Sequence, residues 1–218
     1  MPRESFDAQL EELQGTLLKM GSRVEEAIQT VVRALVERDP ALAQTVVEGD
    51  DEIDRLQHQV ERQAFQLIAL QQPLAGDLRH IVSAIKISGD LERIGDNCEN
   101  IARVIIRLGG QAYVKPLIDV PRMGELARSM LRDTLEAYVS RDVEALRTLP
   151  ERDDEVDHLY SQVLRELLTY MMQDPQTIQQ GMELLLVSRY LERIADHVTN
   201  VGEAVIYLVT GEHTDLNA

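Results

Sequence analysis

The feature that most constrains the fold is an internal duplication of helical sequence. The segment DLERIGDNCENIARVIIRL at 90–108 returns as YLERIADHVTNVGEAVIYL at 190–208. A second pair, GDDEIDRLQHQV at 49–60 and RDDEVDHLYSQV at 152–163, has seven identities in twelve positions. A repeat of this length implies two similar helical units, each burying its apolar face within the unit and against its neighbour.

The composition favours an all-α fold. Aromatic residues make up only 4% of the chain and tryptophan is absent, while helix-forming Ala, Leu, Glu, Gln and Arg are abundant. Hydrophobic residues account for 44% and charged residues for 28%, as in ordinary folded proteins. A chain of 218 residues is long enough for one elongated domain or for two halves of about a hundred residues.

Helix punctuation divides the first half into three helices. Apolar residues at helical spacing predict a first helix over about 6–37. Asp39-Pro40 is a capping residue followed by proline, and it predicts a second helix to about residue 72. Pro73 opens a third helix, and the glycine pair that follows residue 108 is suited to a left-handed C-terminal cap.

The second half repeats this pattern after a linker at 111–121 that contains two prolines. It predicts helices over about 122–139 and 143–172, the latter capped by Asp142, and a last helix that follows Asp174-Pro175 and ends near residue 209. We therefore predict two tandem, similar three-helix bundles with six helices, the first repeat at 1–110 and the second, with a short C-terminal tail, at 122–218.

Charge and cysteine content exclude several classes of protein. A net charge of −16 argues against a nucleic-acid partner, which requires a basic surface. The sequence lacks a run of about 18 apolar residues that could span a bilayer, and its acidic start is unlike a signal peptide, so we expect a cytoplasmic protein without direct membrane insertion. Cys98 is the only cysteine, so a bound metal would use oxygen or histidine ligands.

Acidic residues at helical spacing are the candidate site. Each pair lies four residues apart, which projects two carboxylates from one face of a helix. Such pairs also arise by chance on solvated faces, and they cost a helix about 0.2–0.5 kcal/mol each. Their retention in both copies favours a compensating cation: Mg, Mn, Ca or Fe, with Zn also open. The candidate metal ligands are Asp50, Asp54, Glu92, Asp96, Asp153, Asp157, Glu192 and Asp196.

The helical wheel separates these acids from the core. The apolar stripe of the third helix excludes Glu92 and Asp96, so we expect the acids to point outward or along a groove, with Asn100 continuing their face. We interpret Arg93 and Arg193 as counterions. The predicted core stripe comprises Leu91, Ile94, Cys98, Ile101 and Ile105.

The duplicated Leu-Glu-Arg-Ile-Gly/Ala-Asp signature and the acid pairs resemble the PhoU family of bacterial phosphate-transport regulators over nearly the whole chain. The resemblance implies two three-helix bundles, frequent homodimers and clusters of iron, zinc or another metal on the eight acids named above. It further implies a non-catalytic adaptor between the ATPase of the phosphate importer and a sensor histidine kinase, which restrains uptake and the starvation response when phosphate is plentiful.

Two alternatives remain open. One is a metal-free helical scaffold whose acids confer solubility. The other is a ferritin-like diiron enzyme, which requires Glu-x-x-His on two helices, whereas here Glu155 to His158 is the sole case and Arg55 replaces the histidine in the first copy. The sequence has no phosphate loop or nucleophile elbow to suggest catalysis. Asn97 stands where the second copy has His197, so any two metal sites would differ.

Overall fold

The structure is a computed structural model that describes residues 3–216. Six α-helices and two 3-10 segments, without a β-strand in this range, confirm the all-α prediction. The helices are α1 Arg3–Glu37, α2 Pro40–Gln71, α3 Ala75–Leu108, α4 Asp119–Ser140, α5 Leu149–Gln173 and α6 Ile178–Thr210; the 3-10 segments are Glu144–Thr148 and Pro175–Thr177.

The predicted caps explain where the first helices begin and end. The Asp39 carboxylate accepts hydrogen bonds from the backbone N–H groups of Ala41 and Leu42 at 2.9 and 3.1 Å, and Pro40 occupies the first helical position. Gly109 adopts a left-handed conformation with φ of 63°, and its N–H donates to the carbonyl of Ile105. These local interactions fix the start of α2 and the end of α3 as the sequence predicts. Helix α3 begins at Ala75, two residues after Pro73.

The second half departs from the predicted boundaries at two helix starts. Helix α4 begins at Asp119 instead of 122, because Pro121 is tolerated in a first turn, where its missing N–H has no intrahelical partner. Asp142 accepts a hydrogen bond from the N–H of Glu144 at 3.0 Å, but the N-cap residue of the first 3-10 segment is Val143 and that of α5 is Thr148. The prediction that Asp142 caps the second helix of this half is therefore wrong, because a 3-10 segment intervenes and α5 begins only at Leu149.

Helices α1, α2 and α3 form one bundle and α4, α5 and α6 form the other, and the two bundles pack through α3 on α6 and α1 on α4. Arg107, near the end of α3, donates to Glu183, near the start of α6, at 2.7 Å, so these two helices run antiparallel. The hairpin tips α2–α3 and α5–α6 consequently lie at opposite ends of the molecule.

Two glycines allow α1 and α4 to approach closely. A Cβ on Gly21 would lie 2.6 Å from Leu135 of α4, and a Cβ on Gly124 would lie closer still to Val32 of α1. Gly21 and Gly124 are equivalent in the repeat, with the same spacing of 103 residues as Gly49 and Arg152. Each half therefore offers a glycine to a branched side chain of the other, which gives the contact an approximate two-fold symmetry.

The core lies along the faces that the sequence predicts. Leu91, Ile94, Cys98, Ile101 and Ile105 are each at most 1% exposed. Burial raises the pKa of the Cys98 thiol well above its usual range, so this thiol is un-ionised and unreactive. None of the helices in the described part of the chain is long and apolar enough to cross a membrane.

Candidate functional site

The first acidic cluster joins carboxylates of α2 and α3. Asp50 and Asp54 come from α2, and Glu92, Asp96 and Glu99 from α3. Burial, followed by the negative charges of Glu99, Asp54, Asp96 and Glu92, raises the pKa of Asp50 to about 7. The fold thus brings together the four acids predicted for this half and adds Glu99, which the sequence analysis did not select.

The second acidic cluster repeats this arrangement on α5 and α6 with Asp153, Asp157, Glu192 and Asp196. Burial and the charges of Asp196, Asp157 and Glu192 raise the pKa of Asp153 to about 7. The pKa of Glu192 also rises to about 7, mainly through burial and Asp196. Asp153 and Glu192 are only 9% and 8% exposed, so these two carboxyls are more deeply buried than the helical wheel predicts.

Arginines neutralise part of each cluster. Arg93 Nη1 lies 3.1 Å from an Asp96 carboxylate oxygen and its Nε lies 3.4 Å from Glu92, as expected for a counterion. In the second half, Arg189 donates to Oε1 of Glu192. The other oxygen of Glu192, Oε2, is buried without a hydrogen-bond partner. A buried carboxylate oxygen without a partner is energetically costly, and a cation would relieve it.

The carboxylates of each cluster are suitable ligands for a metal ion, but their side chains do not converge on one point. Each cluster offers four carboxylates from two helices, the ligand type of hard cations, and the second cluster also contains the orphaned Oε2 of Glu192. Within the described residues, however, no group of three or more His, Cys, Asp or Glu side chains is placed to hold a metal ion. Loading would require the carboxylates to turn from their arginine partners toward the ion.

One polar contact links the two bundles beside these clusters. His197 Nδ1 of α6 lies 3.0 Å from Asp90 Oδ1 of α3, and Asn200 Nδ2 donates to the same oxygen at 3.3 Å. Asn97, the counterpart of His197, instead donates to the backbone carbonyl of Arg93 at 2.7 Å. The two halves therefore differ at this position, as their sequences indicate.

Asp90 is not among the predicted site residues, because those are acids that recur in both copies. The residue equivalent to Asp90 in the second copy is Tyr190, so the duplication gives no signal for it. Only the packing of α3 on α6 brings Asp90 to His197. This contact borders a groove of about 670 Å³ between the bundles, which is also lined by Lys86, Arg93 and Tyr207.

The histidines outside the acid motifs have diverse surroundings. His58 is exposed, 3.7 Å from Glu61. His80 is buried, with Nε2 3.0 Å from the Tyr138 hydroxyl. Burial and the charge of Arg141 lower the pKa of His80 to about 4, so it is neutral near pH 7.

The pair that suggests a diiron enzyme is engaged elsewhere. Glu155 accepts a hydrogen bond from Arg122, and His158 is exposed, with Nδ1 2.6 Å from the backbone carbonyl of Asp154. Neither side chain belongs to the acids that shift the pKa of Asp153. The geometry therefore gives the diiron interpretation no support.

Comparisons with known proteins match both halves and the whole fold. The family model described as the PhoU domain matches residues 17–105 and again 120–205. A Clostridium acetobutylicum protein named phosphate-specific transport system accessory protein PhoU homolog is 42% identical over 218 residues, which is 100% of both chains. A homolog of the same name from Aquifex aeolicus is 44% identical over 94% of this chain and 92% of its own.

Solved structures agree with these sequences. The crystal structure of PhoU from Pseudomonas aeruginosa superimposes with a TM-score of 0.91 at 38% identity, covering 95% of this chain and 100% of that one. The phosphate transport system regulatory protein PhoU from Streptococcus pneumoniae gives a TM-score of 0.88 at 30% identity, over 96% and 99% of the two chains.

The duplicated bundles and paired carboxylate clusters define a class of all-helical proteins made from two copies of one three-helix unit. Within that class, the matches of both halves and of the full length show that this chain belongs to the PhoU family.

Proposed function

We propose that this protein is a cytoplasmic, non-catalytic regulator of phosphate uptake and of the phosphate-starvation response. The observation that carries the proposal is the end-to-end match to a phosphate-specific transport system accessory protein at 42% identity. In this role the protein signals phosphate sufficiency from the importer to a sensor kinase and restrains both uptake and the starvation response.

The distribution of exposed apolar side chains supports an adaptor. The α2–α3 tip exposes Phe65 and Leu74, at 59% and 72%, and the α5–α6 tip exposes Met172 and Ile178, at 84% and 47%. Because the tips lie at opposite ends of the molecule, two partners can be contacted at once. We propose the importer ATPase and the cytoplasmic part of the sensor histidine kinase as these partners, and a homodimer as the working form.

The genetic test is a starvation-promoter reporter in a deletion strain grown with plentiful phosphate. We expect the reporter to stay active, because the signal of sufficiency is lost. Pull-down with the full-length chain should recover the importer ATPase and the kinase, and sedimentation should give the mass of a dimer. A silent reporter, with neither partner recovered, would favour the metal-free scaffold.

We further propose that each acidic cluster binds metal, iron or zinc first and Mg, Mn or Ca otherwise. The ligands are Asp50, Asp54, Glu92 and Asp96 in the first half and Asp153, Asp157, Glu192 and Asp196 in the second. A bound cation supplies positive charge that offsets carboxylate repulsion and joins α2 to α3 or α5 to α6. The orphaned Oε2 of Glu192 supports this proposal.

Metal analysis of protein purified without a histidine tag tests the clusters. Replacing Glu92, Asp96, Glu192 and Asp196 with Ala should abolish bound metal, whereas replacing exposed acids outside the clusters should leave it unchanged. Equal metal content in wild type and quadruple variant would favour the metal-free scaffold, which the Arg93 and Arg189 ion pairs support.

A further inference from the structure

The two halves also differ at the position immediately before the first acid of each cluster. The duplication aligns Gly49 of α2 with Arg152 of α5, immediately before the equivalent residues Asp50 and Asp153. The second half therefore carries a long cationic side chain where the first half has none. Arg152 lies between α4 and α5, and the equivalent space in the first half lies between α1 and α2.

In the second half, the Arg152 guanidinium connects α5 to α4. Its Nη1 donates to the Asp133 carboxylate at 2.7 Å and its Nη2 donates to the Ser129 hydroxyl at 2.6 Å. The Arg152 side chain is only 21% exposed, so most of it lies in the groove between the helices. The planar guanidinium is thus held by one carboxylate and one hydroxyl, the kind of partners that it pairs with well.

In the first half, the corresponding space is open. A Cβ added to Gly49 would meet no atom within 4 Å. A pocket of about 240 Å³ lies there between α1 and α2. Its walls again provide one carboxylate and one hydroxyl, but at exchanged positions. Glu26 stands where the second half has Ser129, and Thr30 stands where it has Asp133.

The charge of this pocket suits a cation. Glu26, Asp50 and Glu52 line it, together with one basic residue, Arg23. Arg23 is 45% exposed and lies 3.0 Å from Glu26 and 3.2 Å from Glu52. Lys19, outside the pocket lining, also pairs with Glu52 at 3.3 Å. The lining itself has three carboxyl groups and one guanidinium, so its formal charge is negative and suits a second cation.

We propose that the pocket between α1 and α2 binds an alkylguanidinium group, in the place that Arg152 fills in the second half. The group comes from a small guanidinium compound or from the arginine side chain of a peptide. This site is separate from the proposed regulatory function and needs no bound metal.

The test is calorimetric titration of the full chain in EDTA-containing buffer with two probes, agmatine and N-acetyl-arginine methylamide. We expect one saturable site per chain for at least one probe. Preference for agmatine would indicate a small-molecule source, and binding of the blocked arginine would indicate a peptide source. Butylamine, which lacks the planar group, should bind at least tenfold more weakly.

Three variants locate the site. Gly49→Arg supplies the guanidinium from the chain itself and should weaken probe binding at least tenfold. Gly15→Arg places the same residue at another exposed helical glycine with open space and should leave binding unchanged. Arg152→Gly opens the equivalent space in the second half and should raise the stoichiometry from one to two.

The outcomes separate clearly. Absence of saturable binding by both probes, or equal affinity in wild type and Gly49→Arg, overturns the proposal. If Gly49→Arg failed to fold by circular dichroism, the stoichiometry of Arg152→Gly would decide: two sites support the proposal and an unchanged number overturns it.

Discussion

The acidic clusters predict an unusual pH dependence of stability. The pKa values of Asp50, Asp153 and Glu192 rise to about 7 in the folded protein, chiefly through burial, from about 4 in an unfolded chain. Between these values the folded state binds more protons than the unfolded state, so the free energy of unfolding falls as pH rises. We expect the contribution of these groups to the stability of metal-free protein to be complete below about pH 4 and to be lost as pH rises to about 7–8.

The size of the loss follows from the surroundings of the three carboxyls. A pKa difference of this size corresponds to about 4 kcal/mol for a fully dehydrated group. None of the three carboxyls is fully dehydrated, since Asp50 is half-buried and Asp153 and Glu192 are 9% and 8% exposed, so we expect about 1 kcal/mol each and about 3 kcal/mol in all. This is a large fraction of the 5–15 kcal/mol typical of a folded domain.

Urea unfolding followed by circular dichroism from pH 5 to pH 8, in EDTA, measures this change. Asp153→Asn removes one titrating carboxyl and should flatten the profile by about 1 kcal/mol, while Glu11→Gln, at an exposed acid of α1 outside the clusters, should not. A divalent cation added at pH 8 should restore stability. Stability that stays level or rises from pH 5 to pH 8 without metal would refute the reasoning.

Three further variants test the packing. Gly124→Ala places a methyl against α1 and should destabilise by about 1–2 kcal/mol in urea unfolding, whereas Gly15→Ala, facing open space, should stabilise by up to about 1 kcal/mol through helix propensity. Asp39→Ala removes the cap of α2 and should lower the thermal midpoint, at a cost of about 1 kcal/mol. Tyr138→Phe leaves buried His80 without its hydroxyl partner and should cost about 1–3 kcal/mol by the same unfolding measurement.

Much of the fold could be predicted from the sequence because its signals are local. Asp39, Pro40 and Gly109 determine helix ends through hydrogen bonds within a few residues, and the apolar stripe around Ile94 has the helical period. The 3-10 segment after Asp142 was not foreseen, because an aspartate that accepts a hydrogen bond from a nearby backbone N–H can precede either kind of helix.

The composition of the candidate site was predictable only where both copies carry the same residue. Asp50 and Asp153 were found by their recurrence, whereas Asp90 and Glu99 depend on how α3 packs on neighbouring helices. The pairing of Glu192 with Arg189 is local, between residues one turn apart on α6, but a helical wheel predicts a face and not a rotamer. The burial of His80 against Tyr138 also depends on contact between the bundles, which the sequence pattern does not reveal.

His197, which contacts Asp90, lies near carboxyls of both acidic clusters. Burial and Asp96 raise the pKa of Glu92 while Arg93 and His197 oppose the rise. Burial and Asp157 raise the pKa of Asp196, and Arg189 and His197 oppose that rise. One side chain of α6 therefore acts on a carboxyl in each half.

The divergence between the copies lies around these clusters. Asn97 corresponds to His197 and Gly49 to Arg152, whereas each of the eight acids has an acidic counterpart in the other copy. A duplicated scaffold with equivalent acids and unequal neighbours presents two related surfaces that need not bind the same partner. That asymmetry is compatible with the proposed adaptor role, since two identical halves would compete for one target.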